Sequence, residues 1–296
     1  MDYSLAMMPA PVLRTAYWHD AAARQSFQEF IRQIFDMDFG AWDASGYWDD
    51  DYRPYSYFVG DRVAASMCIY TMHARINGES CTLAQVSGVG TLPEFRKQGL
   101  NRRLHEVALA EALQRHRFAF LAADDDAVAF YRKCGFRPLT VYAPVVPLPA
   151  MATDPGIEKL DPNDGAVLDE VFRLACERPA VSQVFSTSNP KLVMWHVLYR
   201  LRKRIFRIPA LDAVIFMKHD GAKAIVYDIL ARELPRFEQL APFLAAEGVR
   251  EVEFRFPVDL LDVPASTLRE LPGENAHVMG NSTLGAQPIF PFTMLA

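Results

Sequence analysis

The sequence predicts a mixed α/β (α+β) protein: a twisted mixed sheet flanked by helices, followed by a second, degenerate copy of the same arrangement. Three observations point there. Residues 84–139 read as strand, glycine-bearing loop, helix, strand, helix. Before them, two alternating runs are joined by Asn77-Gly78, a pair that supplies the positive φ angles of a tight antiparallel hairpin. After them, the second half presents two helices, a hairpin, then helix and strand, which is the order of the first half.

Each element has a local reason. Residues 20–39 carry Phe27, Phe30, Ile31, Ile34 and Phe35 at helical spacing, which predicts an amphipathic helix lying on the sheet. Residues 55–59 and 62–73 alternate as strands around Gly60-Asp61, and residues 81–91 return antiparallel as far as Pro93. A helix follows from Leu100 to about His116. Its stripe of Leu100, Leu104, Val107 and Ala108, widened by Leu109 and Leu113, suits packing on a sheet. Residues 118–122 are an apolar strand, and residues 124–134 a helix closed by Gly135.

From Pro144 to Pro149 the periodicity fades, and residues 151–156 are rich in turn formers, so a domain boundary is expected near residue 150. That gives domains 1–150 and 151–296. The second holds predicted helices at 162–177, 191–204 and 235–247, and strands at 213–218, 224–231 and 249–257. A short helix is expected near Leu268. The apolar end PIFPFTMLA is expected to dock rather than float. The join Arg232-Glu233-Leu234-Pro235-Arg236 has no glycine loop, so this copy is not expected to hold a phosphate.

Between the first helix and the first long strand lies AWDASGYWDDDYRPYSYF. It mixes Trp42, Tyr47, Trp48, Tyr52, Tyr55 and Tyr57 with Asp43, Asp49, Asp50 and Asp51. Amphipathic rings and carboxylates together suit the recognition of an amine on an apolar body. A solvated acidic turn beside an aromatic cluster is the other reading.

The run Arg96-Lys97-Gln98-Gly99-Leu100-Asn101 is the chemical centre of the first half. The first turn of a helix leaves four N–H groups without partners, and the peptide dipoles add about half a positive charge there. Gly99 lets an anion approach without meeting a Cβ, and Arg96 and Lys97 add formal charge. Arg102 and Arg103 oppose the helix dipole, a mild conflict that a bound anion relieves.

These residues resemble the acyl-CoA site of the GNAT superfamily, the Gcn5-related N-acetyltransferases. The family's loop, Arg/Gln-x-x-Gly-x-Gly/Ala, is met by Arg96 and Gly99, with Asn101 standing where Gly or Ala is usual. A second signature appears as Ala127, Tyr131, Gly135 and Phe136. Gly99-Leu100-Asn101-Arg102 is also similar to the loop of Eis-type acetyltransferases. The resemblance covers about residues 55–145.

It implies a GNAT fold, acetyl-CoA as co-substrate and no metal. Domain 1–150 would be the acyl-CoA-binding catalytic domain, and 151–296 a degenerate GNAT-like domain contributing to the acceptor site. Main-chain groups of Val89, Gly90 and Thr91 would bind the pantetheine arm. Arg96, Lys97, Gln98, Gly99, Leu100, Asn101 and Arg102 would hold the pyrophosphate. Gly88 and Gly90 also weaken ladder packing, which suits a bulge or a ligand close to the backbone. Asp124 stands where many members have Asn. Because the family binds acceptors near the acidic aromatic segment, Trp42, Trp48, Asp50 and Tyr55 become candidate substrate-binding residues.

The implied reaction is attack of an amine on the thioester, in a ternary complex. Tyr131 would donate a hydrogen bond to the leaving thiolate. The general base is left among Glu79, His73, Asp49, Asp50, Asp51 and the Ala296 carboxylate, the last because Eis-type enzymes use their terminal carboxylate so. The acceptor would be a small-molecule or peptide amine. A catalytically silent CoA-binding regulatory or scaffold protein is the alternative, with Asn101 as its sign. A transferase of longer acyl chains is a third reading.

Composition sets the bounds. The chain has 296 residues, 51% of them apolar, with net charge −5 and pI near 5.8, which disfavours a nucleic-acid partner held by phosphate neutralisation. Cys68, Cys81, Cys134 and Cys176 are widely spaced, which predicts free thiols in a reducing, cytoplasmic setting. No apolar run reaches about 20 residues, so no membrane span is expected, and the start, with Asp2, does not read as a signal peptide. The seven histidines are scattered, and no metal constellation or Ser/His/Asp arrangement is legible. Self-association as a homo-oligomer is left open.

Overall fold

The chain enters its first sheet through β1 (Val12–Thr15), which lies antiparallel to β2 (Tyr52–Val59), with Val12 opposite Phe58 and Thr15 opposite Tyr55. The computed structural model describes residues 9–282 and 284–295. They form two units. One comprises the described residues through Thr71 together with Ala84–Ala119. The other comprises Met72–Leu83 and the described residues from Phe120 onward.

In the first unit, α1 (Ala21–Phe35) starts where the Asp20 carboxylate accepts a hydrogen bond from the Ala23 amide, an ordinary N-cap. It ends four residues earlier than expected because Asp36 turns left-handed (φ 52°) and returns its N–H to Arg32 O. Phe27, Phe30 and Ile31 are its buried face. The short α2 (Gly40–Ala44) precedes β2. β3 (Arg62–Ile76) and β4 (Glu79–Thr91) complete the strand order β1-β2-β3-β4. Asn77 and Gly78, in the Met72–Leu83 segment that belongs to the second unit, make the expected left-handed turn between β3 and β4, with φ of 51° and 80°.

α3 (Leu100–Arg115) follows the loop and buries Leu100, Leu104, Ala108, Leu109 and Ala112. Val107 and Leu113, expected in that stripe, are exposed. The buried face follows Leu100, Leu104, Ala108 and Ala112 in steps of four, flanked on one side by His105 and Leu109, and Val107 and Leu113 fall outside it. β5 (Phe118–Ala122) comes next, with the bounds its composition predicted.

In the second unit, after its Met72–Leu83 segment and the end of β5, comes α4 (Val128–Lys133), shorter than expected because residues 125–127 form a turn in which the Ala127 amide bonds Asp124 O. There follow β6 (Arg137–Pro138), β7 (Tyr142–Pro147), β8 (Glu158–Lys159), α5 (Gly165–Glu177), β9 (Phe185–Thr187), α6 (Pro190–Trp195) and β10 (Ile205–Ile208). The unit is completed by β11 (Ala213–Asp220), β12 (Lys223–Ala231), α7 (Phe237–Leu244), β13 (Glu251–Phe254), β14 (Thr267–Glu270) and β15 (Ala276–Gly280).

Its seven-stranded sheet runs β14-β7-β13-β12-β11-β10-β8. β12 and β13 are parallel, joined through α7, and their neighbours are antiparallel. A hairpin leading into a strand–helix–parallel-strand crossover is the order read from the sequence. Val146, Ile215, Val226, Leu240, Val252 and Phe254 lie in its core.

Two expectations fail here for physical reasons. The helix predicted near Leu268 is instead the exposed strand β14, held by its ladder to β7 (Leu268 opposite Pro144). Pairing overrides a local pattern that is weak at an edge. The helix predicted over 191–204 stops being α-helical at His196, where Leu201 N–H reaches back five residues to His196 O and a π-turn begins. β10 then emerges behind the basic run. Arg202 bonds Asn163, Arg204 bonds the Tyr227 hydroxyl, and Arg200 lies over the Phe292 ring.

Among the described residues, no helix is long and apolar enough to cross a membrane, and no cluster of His, Cys, Asp or Glu is placed to hold a metal ion. The four cysteines are free thiols.

Candidate active site

The loop after β4 is built by one tertiary bond and two left-handed residues. Leu92 N–H bonds Ala64 O at 2.9 Å, anchoring the end of β4 to β3. Pro93–Phe95 makes a single 3₁₀ turn with Phe95 buried. Arg96 Nε donates to Thr91 O at 3.1 Å, so its side chain bridges the base of the loop. Lys97 (φ 63°) and Gly99 (φ 73°) are both left-handed, and Gly99 is the N-cap of α3.

The start of α3 has the features an anion requires. A Cβ built on Gly99 meets no atom within 4 Å. No side chain caps the helix, and no acidic residue lies in its first turn. Its first N–H groups are therefore offered outward with the dipole behind them. Arg102 pairs loosely with Glu106 (3.6 Å), and Arg103 stacks on the Tyr57 ring at 4.9 Å. The conflict of these cations with the dipole is thus partly met within the chain. The Asn101 carbonyl accepts a hydrogen bond from His105 Nδ1 at 2.8 Å, which fixes the histidine's proton on that nitrogen. Burial lowers the pKa of His105 and favours this neutral form. The Asn101 side-chain oxygen is buried without a partner among the described residues, and as an acceptor it offers nothing to an anion; it is the bare helix start, the open Gly99 and the nearby cations that count here. These features fit the diphosphate of an acyl-CoA.

α7 offers the contrast. Glu238 sits in its first turn, and the Gln239 side chain accepts from Arg236 N–H. That helix start is acidic and engaged by its own side chain.

Val89 and Thr91 are half-buried and Gly90 is buried. Gly88 is left-handed (φ 58°), which breaks the pleat of β4 as a bulge does. The Cβ side of both glycines is filled by the protein itself. Tyr52 and Cys68 stand 3.1 and 3.3 Å from a Cβ built on Gly88, and Ile34 and Phe30 crowd Gly90. Of the two expectations, a bulge or a ligand close to the backbone, the bulge is what Gly88 makes, and the Cβ side of both glycines serves internal packing. Main-chain groups of Val89, Gly90 and Thr91 are what β4 has to offer.

Tyr131 lies in α4 of the second unit, largely buried, with its ring at 6.0 Å edge-on to Phe136 and 5.4 Å from Phe130. The signature residues fold locally around it. Tyr131 N–H bonds Ala127 O, and Phe136 N–H bonds Tyr131 O across the left-handed Gly135. Burial raises the phenol pKa well above its ordinary value, with the nearby Asp124 and Cys134 contributing in the same direction. This tyrosine holds its proton.

The segment proposed to grip an acceptor is built differently from the expectation. Trp42 and Trp48 are 2% and 4% exposed. Trp42 packs against Phe39 and Tyr52, Trp48 against Phe27 and Tyr52. Rings committed to such packing do not grip an acceptor; burial of apolar area outweighs display. Tyr55 is equally buried and donates its hydroxyl to Glu111 at 2.8 Å. Asp50 is exposed, but it accepts from Trp18 Nε1 at 2.6 Å. Asp49 and Asp51 shape the turn into β2: the Asp51 amide donates to Asp49 Oδ1, and the Thr71 amide donates to Asp51 O. Trp18, which escaped the sequence reading, is legible only through that bond.

His73 and Glu79 belong to the hairpin tip in the second unit and are exposed. The His73 amide bonds the Asn189 side chain at 3.0 Å. The Ala296 carboxylate lies outside the described residues. The stretch before it is docked as expected: Phe292 packs on Tyr227 at 4.7 Å and on His196 at 5.3 Å.

A strand ending in a left-handed glycine loop, with an uncapped helix start behind it, defines an anion-binding site of the kind that holds phosphates. Residues 20–139 match the family model described as the acetyltransferase (GNAT) domain, and that stretch belongs to the GNAT family of acetyltransferases. Solved structures agree on the fold. A conserved protein of Enterococcus faecalis V583 is 14% identical with a TM-score of 0.58, covering 91% of this chain and 72% of its own. Eis1 of Mycobacterium abscessus is 16% identical with a TM-score of 0.54, covering 91% and 73%. A GCN5-related N-acetyltransferase of Anabaena variabilis is 16% identical with a TM-score of 0.51, covering 90% and 72%. A search of curated protein sequences returns no significant match.

Proposed function

We propose that the protein is an N-acetyltransferase that moves an acetyl group from acetyl-CoA to a primary amine of a small-molecule or peptide acceptor, by direct attack in a ternary complex. The observation that carries this reading is the open, acid-free start of α3 at Gly99, inside a GNAT acetyltransferase domain. The co-substrate supplies the activated thioester. The chain binds and orients it: backbone groups of Val89, Gly90 and Thr91 for the pantetheine amides, and N–H groups from Lys97 to Arg102 for the diphosphate.

Two proton problems follow. An amine of pKa about 10.4 is mostly protonated at pH 7, a deficit of about 4.6 kcal/mol that a base or a desolvating site must reduce. His73, Glu79 and the aspartates at 49–51 are the described candidates. On the leaving side, a phenol of pKa about 10 gives its proton to a thiolate of about 8.5 uphill by about 2 kcal/mol. Burial of Tyr131 widens that gap. Tyr131 therefore acts as a hydrogen-bond donor to the thiolate sulfur rather than as a full acid. Residues 151–296 are proposed as the degenerate, CoA-free copy, and the free cysteines support a cytoplasmic setting.

Asn101 favours one second reading, a catalytically silent CoA-binding protein, since its amide stands where a small residue is usual and its oxygen has no partner among the described residues. Thiol release from acetyl-CoA across a panel of primary amines separates the two. Amine-dependent release is expected, slowed about 10- to 100-fold by Tyr131→Phe with CoA binding retained. CoA binding with no release on any amine supports the silent reading. Unchanged turnover in Tyr131→Phe removes that residue from the mechanism.

A further inference from the structure

In the second unit, β3 runs beside β9 with Arg75 opposite Ser186 and Ala74 opposite Thr187, and Ser188 N–H bonds His73 O at 2.8 Å. Directly opposed residues, and those two apart, share a face. Arg75, His73, Ser186 and Ser188 therefore project to one side. That face borders a cavity of about 520 Å³, which Ser80, Cys81 and Thr82 of β4 and Arg178 also line. The volume lies within the roughly 300–1,000 Å³ of small-molecule sites.

The charge of this cavity is one-sided. Among the described residues no aspartate or glutamate lines it, whereas two arginines, a histidine and a row of hydroxyls do. The arginines differ. Arg178 is buried and already paired with Asp228 at 2.7 Å. Arg75 is half-buried, and among the described residues its guanidinium has no carboxylate partner. A partly desolvated fork of N–H donors facing hydroxyls calls for an oxyanion that accepts two parallel hydrogen bonds. The flanking serines and threonine can donate to the same anion or exchange hydrogen bonds with a hydroxylated body.

We propose that this cavity binds a small hydroxylated organic anion, whose phosphate or carboxylate group is engaged by Arg75. The site is independent of the acetyl-transfer reading.

The test uses the full chain at constant ionic strength with saturating CoA present, so that any diphosphate site is filled. Inorganic phosphate and citrate are titrated separately by calorimetry, the two arms distinguishing a phosphate from a carboxylate. Saturable binding of at least one is expected, weakened about ten- to hundredfold in Arg75→Gln and partly kept in Arg75→Lys. A readout without mutation is alkylation of Cys81 by iodoacetamide, followed by peptide mass spectrometry. The bound anion should slow it while leaving exposed Cys176 unaffected. Absence of saturable binding for both anions, binding unchanged in Arg75→Gln, or equal alkylation of Cys81 with and without anion overturns the proposal.

Discussion

Gly90 lies directly against Ile34: a Cβ on the glycine would sit 2.8 Å from Ile34 Cγ2, with Phe30 Cζ at 3.1 Å. α1 thus rests on the bare backbone of β4, one residue before the Thr91 carbonyl that anchors Arg96. Gly90→Ala forces α1 outward or both side chains off their rotamers. The expected loss is about 1–3 kcal/mol of stability, read as a lower urea midpoint at unchanged slope.

Asp228 is the buried hub of the second unit. It pairs with Arg178, accepts from the Ile229 amide and takes a short hydrogen bond from Thr293 Oγ1 of the C-terminal segment. Asp228→Asn leaves the Arg178 guanidinium, 7% exposed, without its counter-charge. The expected cost is about 3–5 kcal/mol in chemical denaturation. Thr293→Val, which removes one neutral donor, should cost only about 1–3 kcal/mol.

His196 begins the π-turn and is fully buried against Phe292. Burial, with the charge of Arg200 second, pushes its pKa from 6.5 down to about 3. The unfolded chain takes this proton near pH 6.5 and the folded chain only near 3. Stability is therefore lost as pH falls through that window, by about 1.4 kcal/mol per pH unit. His196→Gln should flatten the acid limb by that slope when unfolding free energy is followed against pH.

At the other extreme stand Tyr17, Tyr52 and Tyr70, whose phenols burial pushes well above the ordinary 10.0. Their contribution is complete below pH 10.0 and declines as pH rises beyond it, because the unfolded chain ionises first. Phenolate absorbance and loss of tertiary circular dichroism should appear together in an alkaline titration, rather than absorbance first.

The sequence made the first unit's chemistry legible and much of its packing illegible. Asn77-Gly78, Gly99 and the bounds of β5 are local signals, fixed by φ preferences and by a short apolar run. Trp42 and Trp48 have two readings in sequence, a display of rings for an acceptor or an aromatic cluster beside an acidic turn, and their burial fits the second. Only tertiary structure shows that the acids turn the chain while the rings go inward. β14 and β10 were hidden for a related reason. An exposed edge strand and a strand behind Arg200–Arg204 owe their conformation to a ladder partner, not to their own pattern. Nothing in the sequence marks Arg75, since its distinction is that among the described residues it forms no ion pair.

Calorimetric titration of the wild-type chain and of Gly99→Trp with CoA tests the diphosphate site at the start of α3 most directly. Gly99 is left-handed and open, so the indole should cost the fold only about 1–2 kcal/mol of backbone strain while closing the space before α3. Saturable one-to-one binding to the wild type, abolished in a folded Gly99→Trp, is the predicted result. No binding to the wild type, or equal binding to both, contradicts the assignment of the helix start as the diphosphate site.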